Sequence, residues 1–397
     1  MFPTFQNFHD SFKINGIHFD KSSLFDLAYS YVKEGLDYEK EIGVFILDWL
    51  DASETIQLTT SGTTGNPKTI TLSKQAMVNS ALATADYFKL QPGNNALLCL
   101  PARYIAGKMM LVRAFIIGLE LDILPSSSNL EALSSAKTYD FVALVPLQAE
   151  NSIDKLHQFK KIIIGGASVS NELSLKLQNL NNEIYETYGM TETISHIAAK
   201  RIDSETFTVL PNVTIASDDR DCLVLNVPFI SEALITTNDI VELVNNIEFK
   251  WIGRYDSIIN SGGIKLVPEQ IEAKIAKHLT VPFFITGIPD ALLGQKVILV
   301  LEGAEIKLPK TLFEKLNKYA KESGDSKVKV SNDIYNVDKN MIVLHGIINK
   351  ATAESVANYL KEHKEYKLKD SPIIISNEDY KVVQVRKNIE EYLAKIK

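Results

Sequence analysis

Hydroxyl, glycine and lysine residues crowd into one stretch of this chain: Thr59-Thr60-Ser61-Gly62-Thr63-Thr64-Gly65-Asn66-Pro67-Lys68-Thr69. Two short β-like runs, Thr55–Leu58 and Thr69–Leu72, flank it. The residue types suit an anion. Glycine opens positive φ and lets backbone N–H groups approach a ligand with no Cβ in the way. Successive N–H groups in such a turn form an anion-binding concavity. Ser and Thr hydroxyls add donors, and Lys68 adds a compact charge suited to phosphate. The stretch is not a Walker A loop, which carries Gly directly before its Lys and opens a helix; here Pro67 precedes the Lys and a strand follows. The competing reading is an ordinary Gly/Ser/Thr hairpin loop.

A second chemistry-bearing string is Tyr185-Glu186-Thr187-Tyr188-Gly189-Met190-Thr191-Glu192-Thr193. Tyr188 could stack on a base, Thr191 could donate to a phosphate oxygen, and Glu192 could help hold Mg²⁺, a hard ion that prefers oxygen. The alternative is a turn with a capping Thr and a first-turn Glu. Ile162-Ile163-Ile164-Gly165-Gly166-Ala167 reads as a buried strand ending in a glycine pair, either a plain strand-to-loop turn or a flat platform for a planar ring. Asp239 is placed after a strand, where by itself it reads as a turn or surface residue.

The elements that would carry these residues alternate. Ser22–Leu36 and Ile42–Leu50 read as amphipathic helices. Ser73 is an N-cap for a helix reaching Phe88. Strands are expected at Ala96–Leu100, Leu119–Leu124, Phe141–Val145, Lys161–Ile164 and Glu183–Thr187. Helices are expected at Ile105–Ile117, Leu130–Ala136 and Asn171–Leu180. Continuous apolar strands alternating with helices point to an α/β layer architecture. From Lys200 to Trp251, short strands with Asn/Asp turns suggest a β-rich subdomain.

The chain has 397 residues, of which 45% are hydrophobic and 23% charged, an ordinary globular composition with room for two or three domains. Its net charge of −7 leaves no basic excess for nucleic-acid phosphates. Only Cys99 and Cys222 occur, without a C-x-x-C, so a disulfide framework and a cysteine zinc site are not expected and a reducing cytoplasm fits. Residues Met1–Asp20 lack an apolar signal-peptide core. Ile105–Leu124 is broken by Lys108, Arg113, Glu120 and Asp122, a poor membrane span.

The order T-S-G-T-T-G-x-P-K resembles the phosphate loop of the adenylate-forming enzymes, and Y-G-M-T-E-T resembles their next core motif. Trp251-Ile252-Gly253-Arg254-Tyr255-Asp256 and Asn260-Ser261-Gly262-Gly263-Ile264-Lys265 resemble the family's hinge and its Gly-rich loop before a helix. Four motifs in order cover roughly residues 40 to 320. The resemblance implies an α/β fold: a large N-terminal domain of several αβ layers and a β-rich subdomain (residues 1–254), then a small mobile α+β domain (255–321). It implies ATP, Mg²⁺ and coenzyme A as cofactors and co-substrates. Thr60, Ser61, Gly62, Thr63, Thr64, Gly65 and Lys68 would hold the β- and γ-phosphates. Gly165, Gly166 and Ala167 would line the adenine pocket with Tyr188 and Gly189. Thr191 and Glu192 would serve phosphate and metal, and Asp239 the ribose. Arg254 would contact ribose and phosphate, Asp256 would be the hinge, and Gly262 and Gly263 would lie near the pantetheine tunnel.

Three further features are similar to the o-succinylbenzoate–CoA ligases of menaquinone biosynthesis: the stretch from Pro101 to Arg113, Ser195-His196-Ile197-Ala198, and a compact N-terminal part. That acid is a dicarboxylate, so one carboxylate must be held while the other reacts. Lys108, Arg113 and His196 suit that task, or they are ordinary polar, packing or capping positions. The resemblance stops near Lys321. The family's C-terminal Gly-Lys motif is not found, because the chain's only Gly-Lys is Gly107-Lys108. Residues 327–397 read as an atypical strand–helix–strand–helix tail with no recognised chemistry.

Overall fold

A computed structural model describes residues 3–60, 68–276, 279, 283–302 and 342–344. Residues group into two units, one of 1–237 with 242–251, the other of 238–241 with 252–397.

In the first unit the chain opens with β1 (Lys13–Ile14) and β2 (Ile17–His18), then α1 (Lys21–Glu34) and α2 (Asp37–Leu50). Asp20 caps α1 through the Ser23 N–H at 2.8 Å. The i, i+3, i+4, i+7 set Ile42, Phe45, Ile46 and Trp49 buries one face of α2. β3 (Thr55–Thr60) and β4 (Lys68–Ser73) pair antiparallel with Thr60 opposite Lys68. Ser73 caps α3 (Lys74–Phe88) as expected, accepting from the Ala76 N–H. There follow β5 (Asn95–Leu98), α4 (Ile105–Arg113), β6 (Glu120–Ile123), β7 (Tyr139–Leu144), α5 (Pro146–Glu150), β8 (Phe159–Ile164), α6 (Asn171–Gln178) and β9 (Glu183–Gly189). The β-rich stretch is β10 (His196–Arg201), β11 (Phe207–Val209), β12 (Thr214–Ser217), β13 (Cys222–Asn226), β14 (Ile235–Leu243) and β15 (Glu248–Arg254).

Thirteen described strands form one sheet in the order β12-β13-β14-β15-β11-β10-β9-β8-β7-β5-β6-β1-β2. From β6 through β9 the neighbours run parallel. Direction reverses at β9/β10. The central strands β5, β7 and β8 are buried along most of their length, which is why β8 ends in the unbroken run Ile162-Ile163-Ile164. A mixed α/β sheet is thus the frame.

Two expectations need correction. Leu130–Ala136 is a run of turns. Side-chain oxygens take its backbone donors: Ser152 Oγ from Leu130, Asn129 Oδ1 from Glu131 and Ser134 Oγ from Ala136. Ser and Asn compete with helix in this way. The helix expected over Ile105–Ile117 is α-helical only to Arg113 and widens into a π turn over Ala114–Gly118.

The second unit contains β16 (Ile259–Ser261), β17 (Ile264–Leu266), α7 (Pro268–Ile275), β18 (Phe283–Asp290), β19 (Gly294–Glu302) and β20 (Ile342–Leu344). Its sheet runs β17-β16-β19-β18, with β20 paired parallel to β19. Pro268 at the helix start is preorganised for that position. The core is Ile259, Leu266, Ile271, Ile275, Ile285 and Leu299. Of the tail elements expected beyond residue 327, only the strand that includes Ile342–Leu344 falls on described residues.

Candidate functional site

The hairpin strands β3 and β4 carry the hydroxyl-glycine-lysine loop between them. Ser61, Gly62, Thr63, Thr64 and Gly65, and the side chains of Thr60 and Lys68, lie outside the described residues. Lys74, fully buried at the start of α3, donates to Asp51 Oδ1 at 2.6 Å and to the Trp49 carbonyl at 3.1 Å. An ammonium there meets the partial negative charge at the C-terminus of α2. The Lys74 N–H also donates to the Glu54 carbonyl at 2.8 Å.

Two other motifs end the parallel strands β8 and β9 of the thirteen-stranded sheet, at the carboxyl edge where α/β sheets present ligand sites. After β8, Gly165 leaves room for Thr187 of β9: a Cβ there would stand 2.5 Å from Thr187 Oγ1. That hydroxyl donates to the Ile164 carbonyl at 3.1 Å. Gly166 has φ +84°, a left-handed conformation. At the end of β9, the Tyr188 ring lies edge-on to Phe249 with centroids 5.4 Å apart. Thr191 and Glu192 sit in a 3₁₀ turn, with Glu192 exposed. Among the described residues no group of three or more His, Cys, Asp or Glu side chains could hold a metal. A lone exposed carboxylate suits Mg²⁺ only if a ligand's phosphates and water complete its shell.

The third cluster is buried. Arg113, the last residue of α4, is 2% exposed. Its Nη2 donates to Ser195 Oγ at 2.7 Å and lies 3.5 Å from His196 Nδ1. Its Nη1 reaches Met110 Sδ at 3.6 Å, and its Nε has no acceptor. No described carboxylate pairs with it, so burial pulls the guanidinium down to about 9. It remains a cation at neutral pH, buried without a counter-ion among the described residues. His196 opens β10, and its Nε2 lies 3.4 Å from Thr84 Oγ1, while Phe88 presents a ring edge-on. The Thr84 hydroxyl donates to the Ser80 carbonyl at 2.9 Å, which leaves its oxygen to accept from His196 Nε2–H. His196 Nδ1 then faces Arg113 as an acceptor. Burial first, and Arg113 second, hold His196 well below its usual titration range.

Lys108 does not join this cluster. Its ammonium lies 4.8 Å from the Phe45 ring of α2, with Asp48 and Glu41 as its nearest charges. Five residues apart on one helix, Lys108 and Arg113 leave it in different directions. The sequence reading missed Ser195 and Thr84 as site residues. Thr84 is 112 positions from His196 and carries no local signal.

In the second unit Arg254 makes a two-point pair with Asp256, Nε–Oδ1 and Nη2–Oδ2 both 3.0 Å, and reaches Asp239 Oδ1 at 3.4 Å. Asp256 foremost, then Asp239, raises its pKa against the desolvation that lowers it. Asp239 is 5% exposed within β14, not a turn or surface residue after a strand. Gly262 and Gly263, with φ +60° and +83°, form the two-residue turn between β16 and β17. Two positive φ values are what a tight hairpin with right-handed strand twist needs.

Comparison with known proteins agrees with these motifs. The AMP-binding enzyme family matches residues 50–227. The crystal structure of an acyl-CoA synthetase (AMP-forming)/AMP-acid ligase II-like protein from Dyadobacter fermentans is 34% identical, with a TM-score of 0.55 over 82% of this chain and 94% of that one. The chain belongs to the AMP-binding, adenylate-forming enzymes. Within that family it is similar to the 2-succinylbenzoate–CoA ligase of Lactococcus lactis, 28% identical over 300 residues covering 68% of this chain. The chain spans 66% of that ligase's own length. The o-succinylbenzoate–CoA synthetase of Bacillus subtilis, solved with its acyl-adenylate intermediate, shares the fold. Its TM-score is 0.60 at 18% identity, over 77% of this chain and 72% of that one. Among the described residues no helix is long and apolar enough to cross a membrane.

Proposed function

We propose that this protein is an ATP-dependent acid–CoA ligase that converts o-succinylbenzoate to o-succinylbenzoyl-CoA through an acyl-adenylate. The observation that carries the reading is Arg113: a buried guanidinium, lacking a carboxylate among the described residues and with a free Nε donor, beside Ser195 and His196. Burying an uncompensated charge is costly, and a ligand carboxylate that pairs with it relieves the cost. Guanidinium–carboxylate pairs are also geometrically selective. The named function of the Lactococcus relative and the acyl-adenylate complex of the Bacillus enzyme support the choice of acid.

In the first half-reaction the second carboxylate of the acid attacks the α-phosphorus of ATP and pyrophosphate leaves. In the second, the CoA thiol attacks the acyl carbonyl, loses its proton, and AMP leaves. Phosphoryl transfer rests on positioning and charge stabilisation. On this reading Lys68 and the amides of residues 60–65 hold the β- and γ-phosphates. Thr191 donates to a phosphate oxygen, and Glu192 supplies the protein's ligand to Mg²⁺, which neutralises charge on the phosphates. Gly165, Gly166 and Ala167 flank adenine, with Tyr188 stacked upon it and Gly189 giving backbone access. Asp239 accepts from the ribose hydroxyls and Arg254 binds ribose and phosphate. Asp256 is the hinge of a small C-terminal domain, with residues 1–254 as the large domain, and Gly262 and Gly263 line the CoA path. Lys108, expected as a second cation toward the acid, is turned to Phe45 of α2 and has no part in this scheme. The mixed charge of the chain and the absence of a basic excess fit small-molecule partners and a cytoplasmic enzyme.

The test is pyrophosphate release from ATP and Mg²⁺ with and without o-succinylbenzoate. Release that depends on this acid, and not on benzoate or on fatty acids, is expected. Release with another aryl acid alone would reassign the substrate. Tight ATP binding with no release from any acid would favour a second reading, a nucleotide-binding protein without adenylation, which the missing C-terminal Gly-Lys pair makes worth testing.

A further inference from the structure

The segment joining β9 to β10 is only six residues long, Met190 to Ser195, and one of them is strained. Ile194 has φ +63° and ψ −52°. The Ser195 N–H donates back to the Thr193 carbonyl at 2.6 Å, closing a three-residue turn around Ile194. Turns of this hand are rare and strained, and a β-branched residue is the least suited to positive φ. Ile194 is buried in the main core. A Cβ at Gly189 would collide with the Ser195 carbonyl oxygen and His196 Cα, so only glycine lets the end of β9 lie this close to the turn.

Strain of this kind persists only where the surroundings over-determine it, and it gathers at functional sites. The residue that over-determines it is Thr193, which is fully buried. Its Oγ1 accepts from the Met190 N–H at 2.9 Å. Its own O–H has two carbonyls in reach, Ser195 at 2.8 Å and Met190 at 2.9 Å. One hydroxyl therefore ties both ends of the loop. The product of the strained turn is the placement of Ser195 Oγ, 2.7 Å from Arg113 Nη2.

We infer that Thr193 is a positioning residue: its hydroxyl latches the strained turn at Ile194 and so sets Ser195 against Arg113, fixing the guanidinium that receives the acid. The inference rests on the proposed reading of Arg113 as the acid's carboxylate partner. Thr193 does not touch substrate in this scheme; it acts through Ser195.

The experiment uses the full chain with Thr193→Val, Thr193→Ser, Ser195→Ala and the double variant Thr193→Val/Ser195→Ala. Three quantities are measured: o-succinylbenzoate affinity with a non-hydrolysable ATP analogue saturating, affinity for that analogue alone, and solvent exchange of the Arg113 guanidinium protons by NMR in the ligand-free protein. Thr193→Val is expected to weaken the acid about tenfold, the scale of one hydrogen bond, while the analogue's affinity stays within about twofold. Guanidinium exchange should speed up. Thr193→Ser should restore both readouts, and the double variant should bind the acid no worse than Ser195→Ala, because the two residues act in series. Wild-type acid affinity and exchange in Thr193→Val would overturn the inference. So would equal weakening of both ligands, or additive losses in the double variant. If the wild-type protein does not bind o-succinylbenzoate, the substrate reading fails and the exchange measurement alone decides the latch. Should Thr193→Val not fold, Thr193→Ala replaces it, compared in the same way with Thr193→Ser.

Discussion

At the scale of single residues the proposed acid end of the site is a problem of buried charge. Arg113 has hydroxyl, imidazole and thioether neighbours but no described carboxylate. His196 beside it stays neutral in the fold, since burial and then Arg113 disfavour its proton. The groups facing His196 are Arg113, Ser195, Thr84 and Phe88, and none of them favours the imidazolium. The consequence for pH has a definite sign. The unfolded chain takes up a proton at this histidine near pH 6.5, whereas the folded chain does so only at lower pH. Stability that is fully present above that value is therefore lost as pH falls through it, at up to about 1.4 kcal/mol per pH unit for one group. Denaturant melts of wild type and His196→Gln at pH values above and below 6.5 check this. The stability difference between the two proteins should shift in favour of the variant on the acid side, and a difference flat across that range would contradict the placement.

At the scale of elements, the hairpin of β3 and β4 depends on how its root is held. Lys74 ties the first turn of α3 to the last carbonyls of α2, directly beneath the arms of the loop. Replacing it with Met removes the donor and leaves the Trp49 carbonyl without it. The expected cost is about 1–3 kcal/mol, because Asp51 is half exposed and water can serve its carboxylate. Thermal melts read that loss. If the hairpin root positions the phosphate loop, ATP affinity should fall while acid affinity, set by α3, α4 and β10, does not. Equal losses in both would instead indicate general loosening of the unit.

For the whole molecule, the two half-reactions of the proposed ligase make different demands. Adenylation in this family calls on a lysine from a C-terminal Gly-Lys pair, and the chain's only such pair, Gly107-Lys108, lies in α4 with Lys108 turned toward α2. Thioester formation from a ready-made acyl-adenylate does not need that lysine. Turnover of synthetic o-succinylbenzoyl-adenylate with CoA is therefore expected to exceed ATP-driven adenylation, on the order of 10²-fold or more, the scale of losing one charge-stabilising donor. Equal rates in the two assays would mean that another residue of the chain supplies the charge.

Local rules made much of this legible from the residues alone. The Ser73 cap, the period of apolar residues along α2 and the unbroken Ile162-Ile163-Ile164 strand follow from short-range sterics and hydrogen bonding. The motifs that carry the family resemblance stand out for the same reason: each is written in consecutive residues. Other features needed the tertiary structure because they depend on groups far apart in the chain. Side-chain competition undid the helix expected over Leu130–Ala136, with Ser152 contributing from 22 positions away. Whether Arg113 would be a surface cation or a buried one with no carboxylate among the described residues was settled by packing of α3, α4 and β10, as was the separation of Lys108 from it. The left-handed Ile194 has no signal in its own residue type. Only the closure of β9 onto β10, latched by Thr193, makes a conformation that isoleucine disfavours the one it adopts.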